Sequence, residues 1–136
     1  MPHDNNQQQN IEYLKWNKLM PITSASLKYT FDIDNIDKPS ASSEIGMLIE
    51  EEYFYRFGLE TSNRVSEIYY SKCLHSVILG DGDSIGKLDW AKPLFAYANK
   101  HHLRPTGKLL TSLIFVNIDQ VTGKTVCCDE VWLPLK

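Results

Sequence analysis

The sequence predicts one α+β domain made of two β-α-β-β units in series, and three observations predict it. Residues 24–34, SASLKYTFDID, alternate apolar and polar side chains strictly, the period of a half-buried strand. The stretches 45–57 and 85–102 instead repeat their apolar residues at helical spacing. Near the C-terminus, KLLTSLIFVNID and TVCCDEVWLPL flank QVTGK, two β-rich runs around a turn, so they predict an antiparallel hairpin.

Taken in order, the opening MPHDNNQQQN is polar and poor in apolar residues, a tail with too little to bury to offset its ordering entropy. IEYLKWNKLM, residues 11–20, carries Ile11, Leu14 and Leu19 without caps and is stopped by Pro21; it reads as a short helix or an edge strand. These first 20 residues form a lead-in, and residues 21–136 form the domain. In the first strand Ala25, Leu27, Tyr29, Phe31 and Ile33 share one face. DNIDKPSASS then supplies a turn, with Ser42 or Ser43 as an N-cap before Glu44. A helix through Leu48, Ile49, Tyr53 and Phe57 is expected to end at Gly58. Residues 63–80, NRVSEIYYSKCLHSVILG, are β-branched and aromatic and predict two strands or one long bent one. Gly80 and Gly82 break that run, and Asp83 or Ser84 caps the next helix, where Ile85, Leu88, Ala91, Phe95, Ala98 and His102 share a face. Pro93 within it removes a backbone donor and should kink or shorten the helix.

A chain of 136 residues can bury a real core unaided. Its 43% hydrophobic and 23% charged residues are those of an ordinary globule, and its net charge of −3 offers no surface for a phosphate backbone. Direct nucleic-acid binding is therefore not expected. The cysteines, Cys73, Cys127 and Cys128, are odd in number and two are adjacent, which suits neither a disulfide framework nor a zinc site. A reducing cytoplasm is the expected setting. No signal-like start and no run of about 18 apolar residues is found, so neither export nor a membrane-spanning helix is expected. HExxH, CxxC and GxSxG are missing, and GDGDSIG lacks the Lys-Ser/Thr of a phosphate loop. No metal or cofactor is expected.

The last strand carries the sharpest signal. Cys128, Glu130 and Trp132 share one face, while Cys127, Asp129, Val131 and Leu133 share the other. If Val131 and Leu133 face a core, a carboxylate and an indole stand together opposite it, on a face suited to water or to a flat cation. Residues 82–135 resemble the closing half of the GyrI-like, or SOUL-type, effector-binding domain. That domain occurs alone and as the ligand module of MerR-type and AraC-type transcription regulators. The resemblance rests on the helix within 84–102, the turn HLRPTG at 102–107 and the ending EVWLPL at 130–135. It implies a curved, mainly antiparallel sheet with helices on one side and a concave, aromatic-walled pocket on the other. Its function would be binding of amphipathic, planar, cationic compounds, with Glu130 as acidic anchor and Trp132 as its companion in a dry hollow. The chain departs from the pattern in showing no helix-turn-helix, and strand 109–117 offers no second acid, which disfavours a dicationic ligand.

Further candidates for the pocket wall are Trp90, Tyr29, Tyr69 and Phe115, and each has a core reading as well. Tyr69 and Tyr70 are adjacent, so within a strand only one of them can line a pocket. His75 shares a strand face with Cys73 and Val77 and reads as a structural histidine. His101 and His102 suit the negative end of a helix dipole. Two readings from other classes stand beside small-molecule binding. One is a small hydrolase using Glu130 with Tyr69 or Tyr29; the other is a module that docks on a protein partner or on a second copy of itself.

Overall fold

A computed structural model describes residues 2–35, 42–81 and 88–136. Helix α1 spans Pro2–Asn17, strand β1 Ser24–Thr30, β2 Ser42–Leu48, α2 Glu51–Arg56, β3 Cys73–Asp81, α3 Lys92–Lys100, β4 Lys108–Ile118 and β5 Thr125–Pro134. The strands form a five-stranded sheet in the order β2-β1-β4-β5-β3, and every pairing is antiparallel. Among the described residues no helix is long and apolar enough to cross a membrane.

The α+β class and the antiparallel sheet hold, but the first half is not strand-helix-strand-strand. Where the spacing predicts a helix over 45–57 capped by Ser42 or Ser43, the strand Ser42–Leu48 comes first, and only Glu51–Arg56 is helical. β2 pairs with β1 at all seven positions from Ser24↔Leu48 to Thr30↔Ser42. A complete seven-position ladder outweighs a weak helical pattern whose first turn contains Gly46, a poor helix former. Gly58 does end α2, at φ 68°, with Leu59 N–H bonded back to Phe54 C=O at 3.1 Å. The caps expected at Asp83 and Ser84 lie outside the described residues.

Of the β-rich run 63–80 only the part from Cys73 becomes a strand, Cys73–Asp81, at the free edge of β5. The polar N-terminal segment is helical from Pro2, and Thr23, fully buried, holds the helix end by donating its hydroxyl to Trp16 C=O at 2.7 Å. Pro93 shortens its helix: α3 begins at Lys92, with the proline in its first turn and a 3-10 turn, Asp89–Ala91, ahead of it. There the missing N–H costs nothing.

The core lies between one sheet face and α3. Tyr29, Leu109, Val131 and Leu133 from the sheet pack against Ala91, Leu94, Phe95 and Ala98, with the Phe31 and Phe95 rings edge to face at 5.0 Å. The RPTG turn joins this layer to the chain end. Thr106 N–H bonds Pro134 C=O at 2.9 Å, and Phe31 N–H bonds Gly107 C=O at 2.9 Å.

Candidate functional site

Each sheet face carries a hollow, and β5 sends one carboxylate to each. Val131 and Leu133 face the α3 core and are fully buried. Alternation therefore puts Glu130 and Trp132 on the far face.

On that face lies a groove of about 890 Å³. Its floor includes Leu110, Ser112, Glu130 and Trp132, and its walls include Trp16, Phe54, Tyr69 and Tyr70. The wall is built where an aromatic ring of α2 packs against one at the end of α1. Phe54 of α2 is buried, with its ring centroid 6.0 Å from that of Trp16 at the end of α1. The Ser62 hydroxyl donates to Glu12 at 2.6 Å and ties the loop after α2 to α1. Helices thus stand on both sides of the sheet: α3 on the core face, α2 and the end of α1 beside the groove. This corrects the expectation of helices on one side only.

Glu130 is neither buried in a dry hollow nor free in water. Its Oε1 lies 2.6 Å from His75 Nε2, and the two side chains are 36% and 48% exposed. The register explains the contact. His75 sits directly opposite Trp132, and Val77 opposite Glu130, so the imidazole reaches the carboxylate along a diagonal of the ladder. The His75 ring also packs on the Trp132 indole, centroids 5.5 Å apart. His75 therefore has a specific partner that strand alternation within 73–81 does not reveal. At the groove wall, burial pushes the Tyr70 hydroxyl up, and Cys73 adds to this through its charge and a hydrogen bond.

The six candidate residues do not come together in one place. Glu130, Trp132 and Tyr69 line the groove, and so does Tyr70, because residues 65–70 form no strand and strand alternation does not constrain them. Tyr29 and Trp90 lie on the other face, their rings edge to face at 5.9 Å, and Tyr29 is 1% exposed. Phe115 lines neither hollow. A bulge makes Leu113 pair with Asp129 and Phe115 with Cys128, so one step on β5 matches two on β4. Phe115 is turned off the face it would have shared with Leu109, Thr111 and Leu113.

The second hollow, about 220 Å³, opens on the α3 face. Leu27, Tyr29, Ile78, Trp90, Leu113 and Asp129 are among its lining residues. Asp129 stands between Ile78 and Leu113 on the neighbouring strands, and burial holds its carboxyl above the usual aspartate range. Cys127, on the same face, is buried. Desolvation pushes its thiol up, and the nearby charges of Asp129 and Asp81 push it further, the opposite of a reactive thiolate. The alternation that aligned Asp129 with Val131 and Leu133 already carried the signal for this inward acid. Among the described residues no group of three His, Cys, Asp or Glu side chains is placed to hold a metal.

No family model, curated protein or solved structure matches this chain. The reading of its function rests on these two faces of the sheet and on the residues themselves.

Proposed function

We propose that the chain is a small-molecule-binding domain of the effector-sensing kind, resembling GyrI-like domains, and that its ligand is amphipathic, planar and cationic. The observation that carries this reading is the joint presence of Glu130 and Trp132 on the floor of an aromatic-walled groove of about 890 Å³. Drug-sized ligands occupy hollows of roughly 300–1,000 Å³ with mostly apolar walls and a few polar groups. A flat cation there meets the carboxylate at one edge and an indole at its face, and the cation–π contact contributes about 0.5–2 kcal/mol. The free thiols of Cys73, Cys127 and Cys128 fit a reducing compartment such as the cytoplasm. A role in transcription regulation would follow from a partner or DNA-binding segment supplied elsewhere.

Replacing Glu130 by Gln removes the charge with little change in volume. In a fluorescence titration with a planar cationic dye, Glu130→Gln is expected to weaken binding severalfold while the thermal midpoint stays near that of the parent protein. Equal affinity in the two proteins sinks the anchor role of Glu130.

The 2.6 Å contact between His75 and Glu130 favours one second reading, hydrolysis of a small electrophile. A histidine oriented by a carboxylate is a base–orienter pair. Buried Tyr29 on the opposite face is no partner for it, whereas Tyr69 at the groove is. Turnover of a chromogenic ester that disappears in His75→Gln supports this reading, and a wild-type rate equal to the buffer background removes it.

A further inference from the structure

We propose that the smaller hollow, on the α3 face, is a separate binding site for a small arylalkyl primary amine, with Asp129 receiving the ammonium group. The proposal does not depend on the groove reading, since the two sites lie on opposite faces and share no anchoring residue.

The argument begins with what the hollow costs the fold. A void beside the core forfeits packing contacts, and a carboxylate among aliphatic side chains forfeits hydration unless something compensates it. Here Ile78 and Leu113 flank Asp129 on both neighbouring strands. Among the described residues no side chain forms a salt bridge or hydrogen bond with it. Glu130, one residue on, has His75; Asp129 has only the hollow. Asp81 also lines the hollow, but it is engaged in an interaction of its own, so Asp129 is the acid that lacks compensation. A positively charged guest is the chemistry that relieves Asp129.

The remaining walls specify the rest of that guest. Tyr29 and Trp90 present rings set edge to face at 5.9 Å, and Leu27, Ile78 and Leu113 add aliphatic surface. An engineered cavity of about 150 Å³ lined by such side chains holds benzene. A hollow of about 220 Å³ therefore admits one ring plus a short aminoalkyl arm, not the larger planar systems suited to the groove. The ring fills the void and the ammonium pairs with Asp129, so one molecule offsets both costs. An uncharged analogue offsets only the first.

The test compares phenethylamine with 2-phenylethanol, of similar shape, by titration calorimetry and ligand-observed NMR on the full chain at pH 7. Phenethylamine is expected to bind at least tenfold more tightly. Asp129→Asn, which keeps the side-chain volume, is expected to reduce the amine's affinity to that of the alcohol, while Glu130→Gln leaves it unchanged. Equal binding of amine and alcohol to the parent protein overturns the proposal, as does binding of neither. Loss in Glu130→Gln with retention in Asp129→Asn overturns it too, by placing the amine in the groove.

Discussion

Asp129 and Glu130 are consecutive carboxylates on opposite faces of one strand, and among the described residues only Glu130 has a bonded partner, His75 Nε2 at 2.6 Å. The pair gives the sheet two chemically distinct sides. On the groove side, a paired, part-exposed acid stands beside an indole; on the core side, an acid without such a partner stands among aliphatic neighbours.

Because His75 occupies one oxygen of Glu130, it competes with a ligand cation for the carboxylate. His75→Ala is expected to tighten binding of a planar cationic dye by about two- to tenfold, the equivalent of one hydrogen bond worth roughly 0.5–1.5 kcal/mol. A titration showing weaker binding in His75→Ala would mean that the imidazole is part of the ligand's seat.

Burial raises the pKa of Asp129 above its ordinary 3.8, so the folded state holds this proton more tightly than the unfolded chain. The ionised form therefore costs stability as pH rises through the folded pKa, and below the unfolded value no cost remains. Asp129→Asn is expected to raise the urea midpoint at pH 7, by less than about 1 kcal/mol because a half-exposed carboxylate is screened. Near pH 3 the difference should vanish. An Asn variant less stable than the parent at pH 7 would show that the carboxylate is stabilised in the fold.

Gly107 joins the RPTG turn to Phe31. Its φ is 93°, and a Cβ there would stand 3.0 Å from the carbonyl oxygen of Phe31. Gly107→Ala combines left-handed strain of about 1–2 kcal/mol with a clash against a hydrogen-bonded backbone. Urea unfolding should show a midpoint lowered by at least that much with its slope unchanged. A midpoint equal to the parent's would mean that the turn relaxes freely.

His102 ends α3 in the left-handed region at φ 57°, while Leu103 N–H bonds Ala98 C=O at 2.8 Å. This is the helix-ending geometry in which glycine is preferred. His102→Gly is expected to stabilise the fold by about 0.5–1 kcal/mol, since relief of strain exceeds the added freedom of the unfolded chain. Calorimetry showing a lower melting temperature would assign the His102 side chain a stabilising contact.

Local chemistry was sufficient for several elements. The alternation in 24–34 yields β1 with Tyr29 and Phe31 inward, the alternation in 127–133 separates Val131 and Leu133 from Glu130 and Trp132, Gly58 ends α2, and Pro93 delays α3. Each follows from side-chain period or from the backbone preferences of one residue. Asp129 was legible by the same rule, on the face of Val131 and Leu133. What local chemistry does not contain is the identity of the neighbour. β2 is a strand because β1 offers it seven ladder positions. Phe115 changes face because β4 gains one residue against β5. His75 meets Glu130 because strands 55 residues apart in sequence align diagonally, and the groove wall forms where Trp16 meets Phe54. These outcomes belong to tertiary structure alone, since hydrogen-bond register and the covering of an apolar ring are set by partners that lie distant along the chain.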